Sequence, residues 1–296
     1  MPSEIETVVE LCRQRQSHGP LDIAARRVTF DNRVELGTVP GDVEVEPLSA
    51  DGVAAEIVTA PRANAEHMML YLHGGGYCWG SLHSHRPLVA ALSRAAAMPV
   101  LSIDYRRAPE HPYPAALDDA MAAYRWLRGT YAAGKRLAIA GDSAGGGLTL
   151  ATLMALRDAG DALPHAALAI SPWTNLTCAG GSYSSRADVD PICSHDMLDQ
   201  LSRLYRGDAD AADPYLSPLL GSFVGLPPLL IQVGEAEVLY DDSVNAVARA
   251  KAQGVDAHLE AVADMVHVWH LFAPMLREGR DAIDRAGKFL SRRLDQ

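Results

Sequence analysis

Eight short apolar runs set the terms for this chain's fold. They lie near residues 43–46, 54–60, 68–73, 99–104, 136–140, 166–171, 229–233 and 257–262, and after the third they alternate with helix-like stretches such as 115–128 and 241–253. Apolar runs of strand length separated by helices imply a mostly parallel sheet buried on both faces. Ligands of such sheets bind at the carboxyl ends of the strands. Two segments stand outside the alternation. Ile5, Val8, Val9 and Cys12 recur at helical spacing before the first run, and Met197, Leu198, Leu201, Leu204 and Tyr205 do so between the sixth and seventh.

One junction carries chemistry. The apolar run 137–140 leads directly into Gly141-Asp142-Ser143-Ala144-Gly145 and then into a helix-like stretch over 146–158. A serine at so sharp a strand-to-helix turn takes an unfavourable backbone conformation, and flanking glycines let strand and helix pass closely. With 24 glycines in 296 residues, the pentapeptide alone arises by chance in about one such chain in ten, so Ser143 could equally be an ordinary helix N-cap. Upstream, His73-Gly74-Gly75-Gly76 closes the run 68–72. A glycine run lets bare N–H groups approach a substrate, as stabilisation of a tetrahedral oxyanion requires. Gly74, Gly75 and the amide of Ala144 are the candidate donors.

A serine nucleophile needs a base and a carboxylate, in the chain order Ser, acid, His on this kind of scaffold. The acids Glu235, Glu237, Asp241 and Asp242 follow the run 229–233, and His267 follows the last run just before the final helices. The trio Asp241, Asp242 and Ser243 reads best as a helix start, with one side chain capping exposed amides. His83 and His85 lack a third ligand at metal spacing and are read as loop or helix-start residues.

These motifs, together with Asp104-Tyr105-Arg106-Arg107-Ala108-Pro109-Glu110-His111-Pro112-Tyr113-Pro114-Ala115, resemble the hormone-sensitive-lipase-like esterases of the α/β-hydrolase fold. The resemblance runs from about residue 40 to the C-terminus. Arg107 stands where the family's middle motif carries leucine. The resemblance aligns Glu237 with the aspartate that opens the family's Asp-Pro-Leu-x-Asp segment, although here both acid and proline differ. It implies that Asp104 and Glu110 hold the oxyanion loop and the nucleophile turn, and that the two outlying helical segments form a cap.

Composition bounds the reading. A chain of 296 residues buries about three quarters of its unfolded surface, enough for one large core with a small cap. A formal charge of −11, from 26 basic and 37 acidic residues, argues against nucleic-acid partners and against acidic substrates. Cys12, Cys78, Cys178 and Cys193 are scattered, without a Cys-x-x-Cys pair, so neither zinc nor a disulfide framework is expected. The acidic start Met1-Pro2-Ser3-Glu4-Ile5-Glu6 does not read as a signal peptide, and no window approaches a membrane span. A cytoplasmic protein with no membrane partner is expected.

The expectation is therefore an α/β-hydrolase fold with a mostly parallel eight-stranded sheet flanked by helices and a helical cap. Residues 1–40 supply one cap segment, residues 41–296 the hydrolase domain, and residues 180–212 a second cap segment. Ser143, Glu237 and His267 would act on short to medium acyl esters through an acyl-enzyme, with Gly74, Gly75 and Ala144 as the oxyanion hole and Tyr77 and Trp79 lining the substrate pockets. No metal and no cofactor is called for, and a homodimer is left open. Lactone or amide hydrolysis, or acyl transfer, fits the same residues. A non-catalytic receptor, such as the gibberellin receptors of the resembling family, would lack the histidine found here as His267.

Overall fold

The computed structural model describes residues 2–15 and 21–296; Met1 and positions 16–20, which belong to the expected N-terminal segment, lie outside them. Eight strands form one sheet: β1 (Glu44–Ala50), β2 (Val53–Thr59), β3 (His67–Leu72), β4 (Val100–Ile103), β5 (Arg136–Asp142), β6 (Ala166–Ile170), β7 (Leu229–Gly234) and β8 (Ala257–Val262). Their spatial order is β1-β2-β4-β3-β5-β6-β7-β8. β1 pairs antiparallel with β2 and β2 with β4, and every other pairing is parallel.

Side chains alternate across the sheet, and both faces are covered. In β3, Met68, Leu70 and Leu72 join one apolar cluster while Met69 and Tyr71 join the other, so the strand reads as a continuous apolar run. The described helices are α1 (Glu4–Gln14), α2 (Ile23–Asp31), α3 (Leu82–Ala96), α4 (Ala115–Trp126), α5 (Ala144–Asp158), α6 (Ser182–Ser185), α7 (His195–Arg206), α8 (Tyr240–Ala252) and α9 (Arg277–Leu294). Leu88 and Leu92 of α3 meet Ile283 and Leu290 of α9 over one face. Leu117 of α4, Leu150 and Leu153 of α5 and Val247 of α8 cover the other. Among the described residues no helix is long and apolar enough to cross a membrane.

Two local readings change. β1 extends to Ala50, past the apolar run expected at 43–46, because Asp51-Gly52 closes a two-residue hairpin. Both turn residues have positive φ, +52° and +88°, as a primed hairpin turn requires, so the turn and not hydrophobicity sets the strand's length. At α8 the helix start is where the acids suggest, but neither acid caps its own helix. Asp241 accepts the Ser182 amide at 2.8 Å, and Asp242 accepts those of Thr174 and Asn175 at 2.7 and 2.9 Å. They pin the 174–182 connection to the sheet domain. Burial pushes the Asp242 carboxyl up to about 7, against the pull of those two amides.

Both outlying segments are helical, as α1 and α7, and α7 is anchored by an aromatic stack. The Tyr77 and Tyr205 rings lie 3.7 Å apart at 2°, and both are buried. Tyr205→Ala should cost about 3 kcal/mol or more in denaturant unfolding, the scale of deleting a buried aromatic ring, with sheet content by circular dichroism retained.

Candidate active site

The turn after β5 places Ser143 at φ +53°, ψ −121°, a strained conformation for a residue with a Cβ. A Cβ on Gly145 would fall on the Leu72 carbonyl oxygen, and one on Gly141 would crowd the Gly145 carbonyl. Glycine at these two positions is therefore what lets the end of β3, the turn and α5 close on one another. Ser143 stays partly exposed at the floor of a cavity of about 560 Å³.

Three side chains from distant parts of the chain meet there. His267 Nε2 lies 2.8 Å from Ser143 Oγ, and its Nδ1 lies 2.8 Å from Glu237 Oε2. Glu237, fully buried after β7, also accepts the Gly234 amide at 2.6 Å and the Ser171 hydroxyl at 2.7 Å on its other oxygen. Ser171 Oγ in turn accepts the Val268 amide at 3.1 Å. Ser171 and Val268 both have positive φ, +44° and +49°, so two strained turns meet at the carboxylate. Asp241 faces Ser182 instead and does not approach the histidine. Burial works against a charged His267 ring, while the Glu237 carboxylate bonded to Nδ1 favours it, and the net shift is well upward. The Cys193 thiol is pushed up by burial and stays neutral.

The glycine loop differs from expectation at one residue. The Gly74 amide is already spent, donating to Asp142 Oδ1 at 3.0 Å, and Gly74 does not line the cavity. Gly75 and Gly76 do line it, and the Ala144 amide opens α5 with no carbonyl four residues back within the helix. Gly75, at φ +119°, tolerates no side chain, since a Cβ would strike the Trp79 carbonyl. Asp142 is the buried tie beneath this loop: it accepts the Tyr71 hydroxyl at 2.6 Å and faces His85 Nε2 at 3.4 Å. Burial alone would raise its carboxyl, but His85 and Tyr71 bring it below the ordinary aspartate value. His85 is thus a buried partner of Asp142, and among the described residues no cluster of three or more potential metal ligands occurs.

Of the two aromatic residues expected in the substrate pockets, Trp79 lines the cavity and Tyr77 does not. At φ +60° the Tyr77 ring turns away into the stack with Tyr205. Asp104 lies 3.9 Å from His73 Nε2 and 3.6 Å from Arg107. Arg107, the departure from the family motif, also donates to the Gly80 carbonyl and so grips the glycine loop. Glu110 acts at one remove. It pairs with Arg27 at 2.8 and 2.7 Å, and Arg27 donates to the Cys78 carbonyl at 2.7 Å and the Ala108 carbonyl at 2.9 Å. Ser171, Asp142, Gly76 and Arg27 were not singled out from the sequence. A signal existed for Ser171, which follows β6 at the carboxyl edge of the sheet.

A family model described as alpha/beta hydrolase fold matches residues 69–271. The chain belongs to this family. An acetyl-hydrolase of Streptomyces hygroscopicus is 43% identical over 291 residues, covering 97% of this chain and 96% of its own length. The crystal structure of an esterase from the bacterial hormone-sensitive lipase family superposes with a TM-score of 0.96 at 42% identity, covering 99% of this chain and 100% of its own. That of the protein EstE5, soaked with p-nitrophenyl butyrate, gives 0.96 at 43% identity over 100% of both chains. The chain is a hormone-sensitive-lipase-like enzyme of the carboxylesterase type.

Two outcomes follow from the His267 surroundings. Ser171→Ala removes a donor to a buried carboxylate and should lower kcat by about tenfold to a hundredfold, the scale of one charge-assisted hydrogen bond, with KM little changed. Because its neighbours raise His267, the acid limb of the kcat/KM profile should lie above the ordinary histidine value of 6.5.

Proposed function

We propose that the protein hydrolyses short to medium acyl esters by a serine mechanism, a reading carried by the unbroken hydrogen-bond chain from Glu237 through His267 to Ser143 on the cavity floor. Ser143 Oγ attacks the acyl carbonyl while His267 Nε2 takes its proton. The carbonyl oxygen becomes an oxyanion facing the amides of Gly75, Gly76 and Ala144, at the positive end of the α5 dipole. His267 gives the proton to the leaving alcohol, leaving the acyl group on Oγ. Water, deprotonated by His267, then attacks this acyl-enzyme, and Ser143 recovers its proton as the acid departs.

Glu237 orients His267 and supports the imidazolium. Cavity size favours a small substrate, since about 560 Å³ lies within the ordinary range for small-molecule sites. The relatives point the same way: one is called an acetyl-hydrolase and another was soaked with a butyrate ester. Residues of both outlying segments, Leu21 and Phe30 on one side and Met197 and Leu201 on the other, line the cavity above Ser143. This supports reading them as its cap.

Hydrolysis of p-nitrophenyl esters from two to sixteen carbons should peak at the short end, and Ser143→Ala should abolish it. Glu237→Gln gives a sharper test. Oε1 accepts two donors, Gly234 N–H and Ser171 O–H, so a glutamine must keep its oxygen there and turn its NH2 toward His267 Nδ1. That selects the tautomer with the proton on Nε2, which cannot deprotonate Ser143, and kcat should fall by about 10³–10⁴. Asp241→Asn should leave kcat near wild type. If Asp241→Asn abolished turnover in a folded protein while Glu237→Gln did not, the acid would be misassigned.

A further inference from the structure

Part of the cavity wall is cationic. Arg15, Arg26 and Arg33, all from the N-terminal segment, line it in a chain whose formal charge is −11. The carboxylates that border the cavity are engaged or peripheral. Asp142 is tied beneath the glycine loop. Asp190 accepts the Ile192, Cys193 and Val238 amides at 2.8, 2.9 and 2.8 Å. Asp196 stands at the rim with 96% of its side chain exposed.

Arg33 is the most built of the three arginines. Its side chain is 13% exposed, and its guanidinium carbon lies 5.3 and 5.4 Å from the centroids of the Phe30 and Phe272 rings. Its Nε donates to Glu35 Oε1 at 2.8 Å, and Arg15 pairs with that same oxygen. Two guanidinium groups thus share one carboxylate, leaving a net positive charge. Among the described residues the two terminal nitrogens of Arg33 have no hydrogen-bond partner. Burial brings the group down to about 10, which keeps it a cation at neutral pH. A planar guanidinium beside two rings, with its two terminal nitrogens unpaired among the described residues, matches the two oxygens of a carboxylate.

We propose that Arg33 receives a carboxylate carried by the substrate away from the scissile bond, so that the favoured substrates are esters bearing a second, acidic group. This rests on the esterase reading and names its substrate class. It departs from what net charge suggests, because recognition depends on the charges that face the cavity and not on those spread over the surface. The carboxylate could sit on the acyl or the alcohol side, and two matched pairs distinguish them. On the acyl side, p-nitrophenyl hydrogen glutarate is compared with p-nitrophenyl pentanoate. On the alcohol side, 4-acetoxybutanoate is compared with butyl acetate.

In one pair the wild-type kcat/KM ratio of acidic to neutral ester should reach or exceed one, and should fall as ionic strength rises from about 0.02 to about 0.5 M. Arg33→Met, which keeps the stem and removes the donors, should lower that ratio by about tenfold or more, and Arg33→Lys by less. The wild-type ratios and their salt response decide the matter even if Arg33→Met does not fold. Wild-type ratios well below one in both pairs, or ratios unchanged by Arg33→Met in a folded protein, would overturn the proposal. No hydrolysis of either neutral ester would instead bring down the esterase reading, and this proposal with it.

Discussion

The buried carboxylate of Asp142 and the two glycines around Ser143 fix everything else at the site. Asp142 ends β5 and reaches sideways to the Tyr71 hydroxyl and the Gly74 amide, so it stitches the carboxyl ends of adjacent parallel strands. Gly141 and Gly145 permit the contact that this stitch requires, because any side chain at Gly145 would occupy the position of the Leu72 carbonyl. A strained serine persists only where its surroundings over-determine it, and here the strand, the helix and the glycine loop all do so. The ionised form of Asp142 is maintained despite full burial by His85 and Tyr71, which matters because a buried carboxylate without such partners would take up a proton.

A second set of strains meets at the other end of the hydrogen-bond chain. Ser171 and Val268 adopt left-handed conformations in different loops, yet one hydroxyl joins them by accepting the Val268 amide and donating to Glu237. Glutamate is a methylene longer than the aspartate of the family motif. Its extra reach is taken up by two donors on Oε1, which leave Oε2 for His267. The carboxylate is held by backbone and hydroxyl groups in a dry setting, so its orientation does not depend on solvent.

Much of this was legible in the chain, and the failures share a cause. Strand positions follow from apolar runs because strands buried on both faces have no polar face to obscure them. Ser143 and His267 are legible because each sits where a strand ends. Glu237 needed the family alignment to stand out from Asp241, since four acids follow one strand and only the fold shows which faces inward. Gly74 was misread because sequence reveals which amides are bare but not which are already bonded. Tyr77 was misread because a single positive φ reverses the direction of a side chain. Arg107, which stands where the family motif carries leucine, grips the Gly80 carbonyl, a contact across 27 residues that no local pattern encodes.

Arg27 has a mechanical consequence. One guanidinium on α2 binds the Cys78 carbonyl within the glycine loop, the Ala108 carbonyl and both oxygens of Glu110. The helix that lines the cavity and the loop beside it are therefore riveted together, and Asp31 at the end of α2 adds a second tie by accepting the Ser81 hydroxyl at 2.6 Å. Lifting the helix to admit a bulky molecule would tug on the loop, so access and amide alignment are geared together. A molecule that fits beneath the closed helix meets the loop at rest, whereas one that props it open meets a loop pulled out of true. Size discrimination by this fold would then show in turnover as well as in binding.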